Sequence, residues 1–236
     1  MQTYSPISIG NMSTTFHDFR LRHVIAIARL PEKQHERKIT EFLKSVLNDD
    51  ALPLRLYAQQ RHYLMMKYQQ LQQGTFNFNI EFDKYEKNGE WAEKVEVDGY
   101  VFRQLNGFEC EALEQYALEN SNDYLDWFFG AMALQVGNGK EIVMIDPCPE
   151  TNFAKRIIES RINLIKDFAL AEGEKLIDSF AVANEQLNHL IDISFDNEGI
   201  VCMQQGGTDD APIRFRPLST VPKSIKDLLG GLSTQS

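Results

Sequence analysis

The most apolar helix-length part of the chain runs from Asn122 to Val136. Its apolar residues fill one helical face and widen it until little polar surface remains, and a helix that is apolar nearly all round is buried. Ser121 or Asn122 can cap the first turn, and the Gly-Asn-Gly sequence at 137–139 ends the helix. Gly130 costs about 1 kcal/mol relative to alanine inside a helix, so we expect another element to approach closely there. This stretch predicts a core helix around which the fold is organised.

Apolar residues at steps of three and four predict amphipathic helices in further parts of the chain. The predicted helices are Glu32–Leu47, Leu54–Gln73, Phe108–Leu118 and a short one over Ser224–Leu229. The same pattern continues from 152 to 192, where it fits one long helix or two consecutive ones. Residues 16–30 alternate at first and then become apolar, which leaves a strand and a short helix open.

Two alternating stretches, Phe76–Phe82 and Val95–Phe102, are typical of strands with one buried face. A turn sequence, Lys87-Asn88-Gly89, lies between them, so the pattern predicts an antiparallel β-hairpin at about 76–102. Residues 193–203 predict a strand, a turn and a strand near the C-terminus. The predicted fold class is therefore α+β, mostly helical, with a central β-hairpin and a small C-terminal β-sheet.

The same patterns predict four parts of the chain. Residues 1–15 are polar and rich in turn formers, so we expect an extended N-terminal arm, with a strand over Ser5–Ile9, that becomes ordered only on a neighbour. A helical domain with the hairpin follows over 16–139, and long helices with a small sheet occupy 140–229. Residues 230–236 are predicted to form a flexible tail.

Charge is distributed unevenly along the 236 residues, whose net charge is −10. Residues 1–75 hold 10 lysines and arginines against 6 acidic residues, whereas residues 76–150 hold 5 against 16. The acidic middle speaks against a general nucleic-acid binder, which needs a basic surface. A basic part beside an acidic one suits complementary packing, within the chain or between neighbouring copies. The hydrophobic content of 43% supports a sizeable core.

The three cysteines, Cys110, Cys148 and Cys202, match no zinc or redox motif in their spacing. Their odd number and wide separation suggest reduced thiols in a cytoplasmic setting. The N-terminal residues lack the basic start and apolar run of a signal peptide. No segment is long enough to cross a membrane, so we expect no membrane partner.

No motif in the sequence indicates a catalytic or metal-binding function. The five histidines share no zinc-ligand spacing, and the chain has no phosphate-binding glycine loop and no nucleophile elbow. Carboxylates at Glu109, Glu111, Glu114, Asp123, Asp126 and Asp146 are of the kind that a metal-dependent hydrolase uses, and this function stays as an alternative. Exposure to solvent also accounts for these carboxylates, without any metal or catalytic site. Cys148 lies between two prolines but has no basic neighbour to activate it. We therefore expect no catalytic, cofactor or metal site and no enzyme activity.

Three sets of residues are predicted to bind a partner. Gln59 and Gln60 lie on the glutamine-rich face of the predicted helix Leu54–Gln73, where amides can bond without the cost of desolvating a charge. The alternative for that face is plain solvation. Phe76, Phe78 and Ile80 lie on the predicted strand, which can pair along the edge of another sheet. Glu111 and Glu114 lie on a predicted acidic helix surface.

Three stretches resemble tail and baseplate assembly proteins of tailed bacteriophages: Pro53–Lys67, Val101–Glu114 and Asp126–Ala133. The resemblance implies a protein without enzyme activity that packs against other tail or baseplate proteins, as a fixed part or as an assembly chaperone. Further copies of the same chain are possible partners. It implies a location in the virion, in the host cytoplasm or in both. The alternative is an intracellular acidic binding or inhibitor protein that presents residues 81–126 to a basic partner.

Overall fold

The computed structural model describes residues 4–9, 12–76, 78, 80–138, 151–205 and 212–233. Within these residues the fold is α+β and mostly helical, as the sequence predicts. The helices are α1 (Leu21–Ala28), α2 (His35–Leu47), α3 (Leu52–Arg55), α4 (Ala58–Leu71), α5 (Gly107–Glu119), α6 (Tyr124–Gln135), α7 (Thr151–Lys166), α8 (Leu170–Leu187) and α9 (Lys223–Ser233). Short 3-10 helices cover Phe82–Lys84 and Pro217–Thr220.

Three small antiparallel sheets accompany the helices in the described part of the chain. The strands are β1 (Ile7–Ile9), β2 (Met12–Thr14), β3 (Lys94–Val97), β4 (Tyr100–Arg103), β5 (Val136–Asn138), β6 (Asp192–Asp196) and β7 (Gly199–Met203). The first sheet pairs β1 with β2, the second has the order β3-β4-β5, and the third pairs β6 with β7. The third sheet confirms the strand, turn and strand predicted near the C-terminus.

The central hairpin differs from the predicted one. It forms within the second alternating stretch, where Val97 pairs with Tyr100 across the turn residues Asp98 and Gly99. Both turn residues have positive φ, +53° and +84°, as a tight two-residue hairpin requires. The described residues of 76–82 form no strand, and Asn77 and Asn79 lie outside them. A central β-hairpin is therefore present, but the predicted pairing of 76–82 with 95–102 was wrong, because the Asp98-Gly99 turn closes the second stretch on itself.

The N-terminal segment belongs to the chain's own core. Strands β1 and β2 form a hairpin, and Tyr4, Ile9 and Phe16 are buried. The Tyr4 hydroxyl accepts a hydrogen bond from Gln72 Nε2 at 2.8 Å, and its ring packs edge-on against Phe16. The predicted arm that waits for a neighbour is therefore wrong for the described residues of 1–15, since internal contacts hold them.

Helix boundaries depart from the predictions at several places. Helix α2 begins at His35 rather than at Glu32. Residues 21–28 are helical, which decides between the strand and the short helix that the sequence left open. The predicted helix Leu54–Gln73 is divided, because Leu56 and Tyr57 are extended between α3 and α4. The long pattern from 152 forms two helices, α7 and α8. The backbone of residues 230–233, which were predicted as tail, continues α9.

Two hydrophobic cores hold the described elements together. The first lies among α5, α6, α7, α8 and the second sheet, and its large buried residues include Phe102, Leu113, Trp127, Ile158 and Phe180. The second lies among α2, α4, the N-terminal hairpin and β7, and includes Ile9, Phe42, Leu64, Phe82 and Phe215. Both cores draw residues from either side of position 139, where the sequence predicted a division. A third, small cluster joins α1 to α9 through Val24, Val221 and Leu229.

Helix α6 is the predicted core helix, and most of it is buried. Asp123, rather than Ser121 or Asn122, caps it by accepting the Asp126 N–H at 3.0 Å. A Cβ built on Gly130 would lie well inside 3.0 Å of Leu113 Cδ1, which confirms the predicted close approach. Among the described residues, no helix is long and apolar enough to cross a membrane.

Candidate functional site

The two glutamines predicted to face a partner are buried inside the fold. Gln59 donates to Gln104 Oε1 at 2.8 Å and to the Leu187 carbonyl, and its Oε1 accepts the N–H groups of His189 and Leu190 at 3.1 and 2.9 Å. Gln60 accepts the N–H of the helix-capping residue Tyr57. Both amides satisfy backbone groups, so their placement on an exposed face was wrong.

The predicted strand residues Phe76, Phe78 and Ile80 are half-buried. The centroid of the Phe78 ring lies 6.0 Å from that of Phe76 and 6.1 Å from that of Phe82, and Phe78 meets Phe82 edge-on. Phe82 itself is part of the second core. Phe78 and Ile80 therefore pack partly onto the chain's own core, Phe76 lies beside Phe78, and none of the three forms the edge of a sheet.

Two of the predicted acidic surface residues are buried with their own partners. Glu109 pairs through both oxygens with Arg103, at 2.8 and 2.6 Å. Glu114 accepts the N–H groups of Glu36 and Arg37, at 2.8 and 3.3 Å, and so caps the first turn of α2 from the neighbouring helix α5. Burial removes both carboxylates from the predicted acidic surface.

A buried ionic cluster lies behind this cap. Arg61, which is fully buried, donates to Thr40 Oγ1, to the Pro53 carbonyl and to the Glu36 carbonyl and carboxylate, at 2.8–3.2 Å. His62 Nε2 lies 3.0 Å from the other Glu36 oxygen. Burial opposes ionisation of Glu36, but the contacts with His62 and Arg61 outweigh it and lower its pKa to about 2. Glu36 is therefore a paired carboxylate in the folded chain.

Glu114 has the opposite behaviour. Burial, together with the nearby negative charge of Glu36, raises the pKa of Glu114 to about 8, although the two backbone N–H groups oppose the shift. Two carboxyl groups at one helix start thus titrate far apart, because His62 and Arg61 stabilise the charged form of Glu36, whereas burial and then the charge of Glu36 disfavour the charged form of Glu114.

Glu111 and Glu114 line one cleft of about 400 Å³ between α2, α5 and α7. Its wall also carries Arg37, Lys44 and Lys155, so the cleft is of mixed charge. Within the described part of the chain, Gln34 Oε1 and Glu111 Oε1 are buried without a hydrogen-bond partner. The structure thus brings together two of the predicted partner-binding residues, but in a recess rather than on an open acidic face.

Among the described residues, there is neither a cluster of metal ligands nor an exposed cysteine thiol. No group of three or more histidines, cysteines, aspartates and glutamates among them could hold a metal ion. Cys110 and Cys202 are buried, and burial raises the pKa of both thiols. Asp146 and Cys148 lie outside the described residues.

An apolar surface extends over α6, α7 and α8 and is exposed to solvent. Two adjoining depressions, of about 430 and 220 Å³, share Phe129 and Lys166. Leu170 is 89% exposed and Leu125 is 56% exposed. We call this surface the α6–α8 face and define it by Leu125, Phe129, Ile165, Phe168, Leu170 and Ile177. A contiguous apolar patch of this kind marks an interaction site more often than scattered single residues do.

The rim of the α6–α8 face is acidic. Asp123 and Asp126 line one depression and Glu174 and Asp178 line the other, with Lys166 as the basic residue between them. This face was not predicted from the sequence, although a signal was present. Along α8 the residues of the core face, Leu176, Phe180, Ala183 and Leu187, leave a second apolar stripe at Leu170 and Ile177, and one helix rarely needs both for its own core.

The α6–α8 face leaves apolar side chains exposed to solvent. The mixed-charge cleft holds the two buried side-chain oxygens of Gln34 and Glu111 that have no hydrogen-bond partner within the described chain. The α6–α8 face is built by helices of the first core, whereas the mixed-charge cleft lies between α2 of the second core and α5 and α7 of the first. Comparison of the chain with protein-family models, with curated proteins and with solved structures finds no match.

Proposed function

We propose that this chain is a non-enzymatic structural or assembly protein that binds other proteins through the α6–α8 face. The observation that carries the proposal is the exposure of Leu170 at 89% beside the half-buried Phe129 and Phe168. Burying an exposed leucine side chain contributes about 1.5–3 kcal/mol, so covering this face would stabilise a complex substantially.

The acidic rim indicates what kind of partner would fit the α6–α8 face. Asp123, Asp126, Glu174 and Asp178 surround the apolar centre, and one basic residue, Lys166, offsets them. A partner with an apolar contact surface and basic residues at its border would complement this arrangement. Such charge complementarity speeds association and selects the partner, while the apolar centre supplies most of the affinity.

The setting we propose is the tail or baseplate of a tailed bacteriophage, in the virion or during assembly in the host cytoplasm. The resemblance over Pro53–Lys67, Val101–Glu114 and Asp126–Ala133 supports it. The last of these stretches includes Phe129, which both depressions of the α6–α8 face share. Other tail or baseplate proteins are then the partners.

The experiment is purification of the tagged chain from its native source, with the stoichiometry of every bound protein measured by mass spectrometry. Tail proteins in fixed ratio, with the chain also present in purified particles, would identify a structural component. Tail proteins bound to a chain that purified particles lack would identify an assembly factor. Recovery without any tail protein would contradict the proposed setting.

A second candidate function is that of an acidic protein that binds and inhibits a basic partner. Exposed Glu90, Glu93 and Glu96 around β3 favour it, since they remain on the surface after Glu109 and Glu114 are buried. A one-to-one complex that dissociates when salt is raised would identify this function, because screening weakens contacts between exposed charges. A complex through the apolar α6–α8 face would resist salt more strongly.

A further inference from the structure

A second exposed surface of the chain has the opposite character to the α6–α8 face. Helices α1 and α9 pack together, and Leu21 and Leu228 project from them with 54% and 73% of their surface exposed. We call this surface the α1–α9 end and define it by Leu21, Arg22, Lys226 and Leu228. It combines exposed leucines with basic side chains, whereas the α6–α8 face combines exposed leucines with carboxylates.

The basic residues of the α1–α9 end have no charged partner of their own in the described contacts. Arg22 donates to the ring of His23, and Lys226 lies 3.5 Å from the Ser219 carbonyl. The adjacent Arg20 donates to the Asn48 amide oxygen. None of these three partners is a carboxylate, and the exposed Asp227 between Lys226 and Leu228 offsets only part of the positive charge, so this end is net positive and can meet an acidic surface.

One copy cannot bring these two surfaces together. Helices α1 and α9 join the small third cluster and α1 packs beside α2, whereas α6, α7 and α8 build the first core. A contact between an apolar, acid-rimmed face and an apolar, basic end therefore requires two molecules. Two different surfaces that meet in this way form a heterologous, head-to-tail contact, which leads to a ring when it closes and to a filament when it does not.

We propose that the α1–α9 end of one copy docks on the α6–α8 face of a second copy, so that the chain assembles head to tail. This inference rests on the proposed function, because it assigns one partner to the same face. The leucines of each surface would be buried against the other, and the Arg22 and Lys226 charges would meet the rim carboxylates Glu174 and Asp178.

The test uses one variant that blocks each surface. Leu170→Lys places a positive charge on the face, where it would repel the basic end, and Leu228→Glu places a negative charge on the end. Both positions are highly exposed, so the fold is expected to be retained, which circular dichroism checks. The control is Val182→Lys, since Val182 is 45% exposed on the same helix as Leu170 but lines neither depression.

Mass measurement by sedimentation or light scattering gives the outcome over protein concentrations of about 1–100 µM. Wild type and Val182→Lys are expected to form species larger than the 27.1 kDa monomer as concentration rises, and less so at high salt. Each blocked variant alone is expected to stay monomeric. Their equimolar mixture is expected to form a dimer that grows no further, because the free end of one variant fits the free face of the other.

Several results would overturn the inference. A monomeric wild type over the whole range excludes self-association, as does a mixture that stays monomeric while wild type assembles. Loss of assembly in Leu170→Lys but not in Leu228→Glu would indicate a symmetric contact between two faces instead. If wild type is monomeric and Leu170→Lys still loses its bound proteins from the native source, this inference fails while the proposed function stands. If Leu170→Lys changes neither the self-association nor the recovery of bound proteins, both this inference and the proposed function fail.

Discussion

Leu113 fills the space in front of Gly130. A methyl group built on Gly130 would lie well inside 3.0 Å of Leu113 Cδ1, so α5 and α6 meet at a point with no room for a side chain at position 130. The neighbouring residue, Phe129, is thereby seated at the centre of the α6–α8 face, where both depressions share it. The packing inside the first core thus determines the position of the exposed surface that we propose as the interaction site.

Substitution Gly130→Ala is expected to destabilise the fold although alanine favours helices. Overpacking of a tight contact costs about 1–3 kcal/mol, while the helix gains only about 1 kcal/mol from replacing glycine. Urea unfolding monitored by circular dichroism measures the change in the free energy of unfolding. Combined with Leu113→Ala, which opens the space, Gly130→Ala is expected to cost less than it does alone.

The matched control is Gly173→Ala in α8. A Cβ at Gly173 would meet no atom within 4 Å, so this substitution is expected to keep the helical gain and raise stability by up to about 1 kcal/mol. Equal effects of the two substitutions would show that the contact between Gly130 and Leu113 is not tight.

Removal of the Arg61 side chain is expected to be among the most damaging single changes. Arg61→Met leaves the buried Glu36 carboxylate with His62 as its remaining side-chain partner and strips hydrogen bonds from Thr40 and Pro53. Breaking a buried ion pair on one side costs about 3–5 kcal/mol, because the other charge stays buried. Chemical unfolding checks the value.

The exposed residue Arg55 offers the control for that experiment, since Arg55→Met is expected to change stability by less than about 0.5 kcal/mol. The double variant Glu36→Gln with Arg61→Met removes both charges and is expected to lose less stability than the two single losses added together. Strict additivity would mean that the two side chains do not stabilise each other.

Glu114 is expected to make stability depend on pH. Its pKa is raised from 4.5 to about 8 in the folded chain, so the folded state holds a proton that the unfolded state has released between these values. Folding then takes up a proton, and the free energy of unfolding falls by up to about 1.4 kcal/mol for each pH unit gained within this window. Above pH 8 the contribution becomes constant.

Glu114→Gln removes the titration but keeps an oxygen that can accept the Glu36 N–H. Urea unfolding of wild type and variant at pH 5, 6, 7 and 8 is expected to show the wild type losing stability relative to the variant as pH rises. A difference between the two proteins that stays constant over this range would contradict the raised pKa.

Local patterns predicted the elements whose causes are local. The apolar run of α6, with Gly130 in it, and the strand-turn-strand of β6 and β7 are both as expected. The Asp98-Gly99 dipeptide is itself a hairpin signal, but the prediction followed the alternation at Phe76–Phe82, of which Phe78 and Phe82 instead pack on the second core. Alternation reports a buried face and does not identify a strand by itself.

The parts that the sequence could not show depend on residues far apart in the chain. Gln59 is buried because Leu187, His189 and Leu190 supply backbone partners about half the chain away. Glu114 is buried because the start of α2 lies against it, 78 residues earlier. Helical spacing places such polar residues on a face but does not tell whether that face meets solvent or another element.

The most direct test of the account is whether the α6–α8 face holds the partners. The tagged wild type, Leu170→Lys and Val182→Lys are purified in parallel from the native source, and the bound proteins are quantified. Leu170→Lys is expected to lose at least tenfold of its bound partner, whereas Val182→Lys keeps it, because the exposed Leu170 lines the depression of about 430 Å³ and Val182 lines neither depression. A tenfold loss corresponds to about 1.4 kcal/mol, which is less than the burial of one leucine contributes. Equal recovery with all three proteins would contradict the claim that this face is the interaction site.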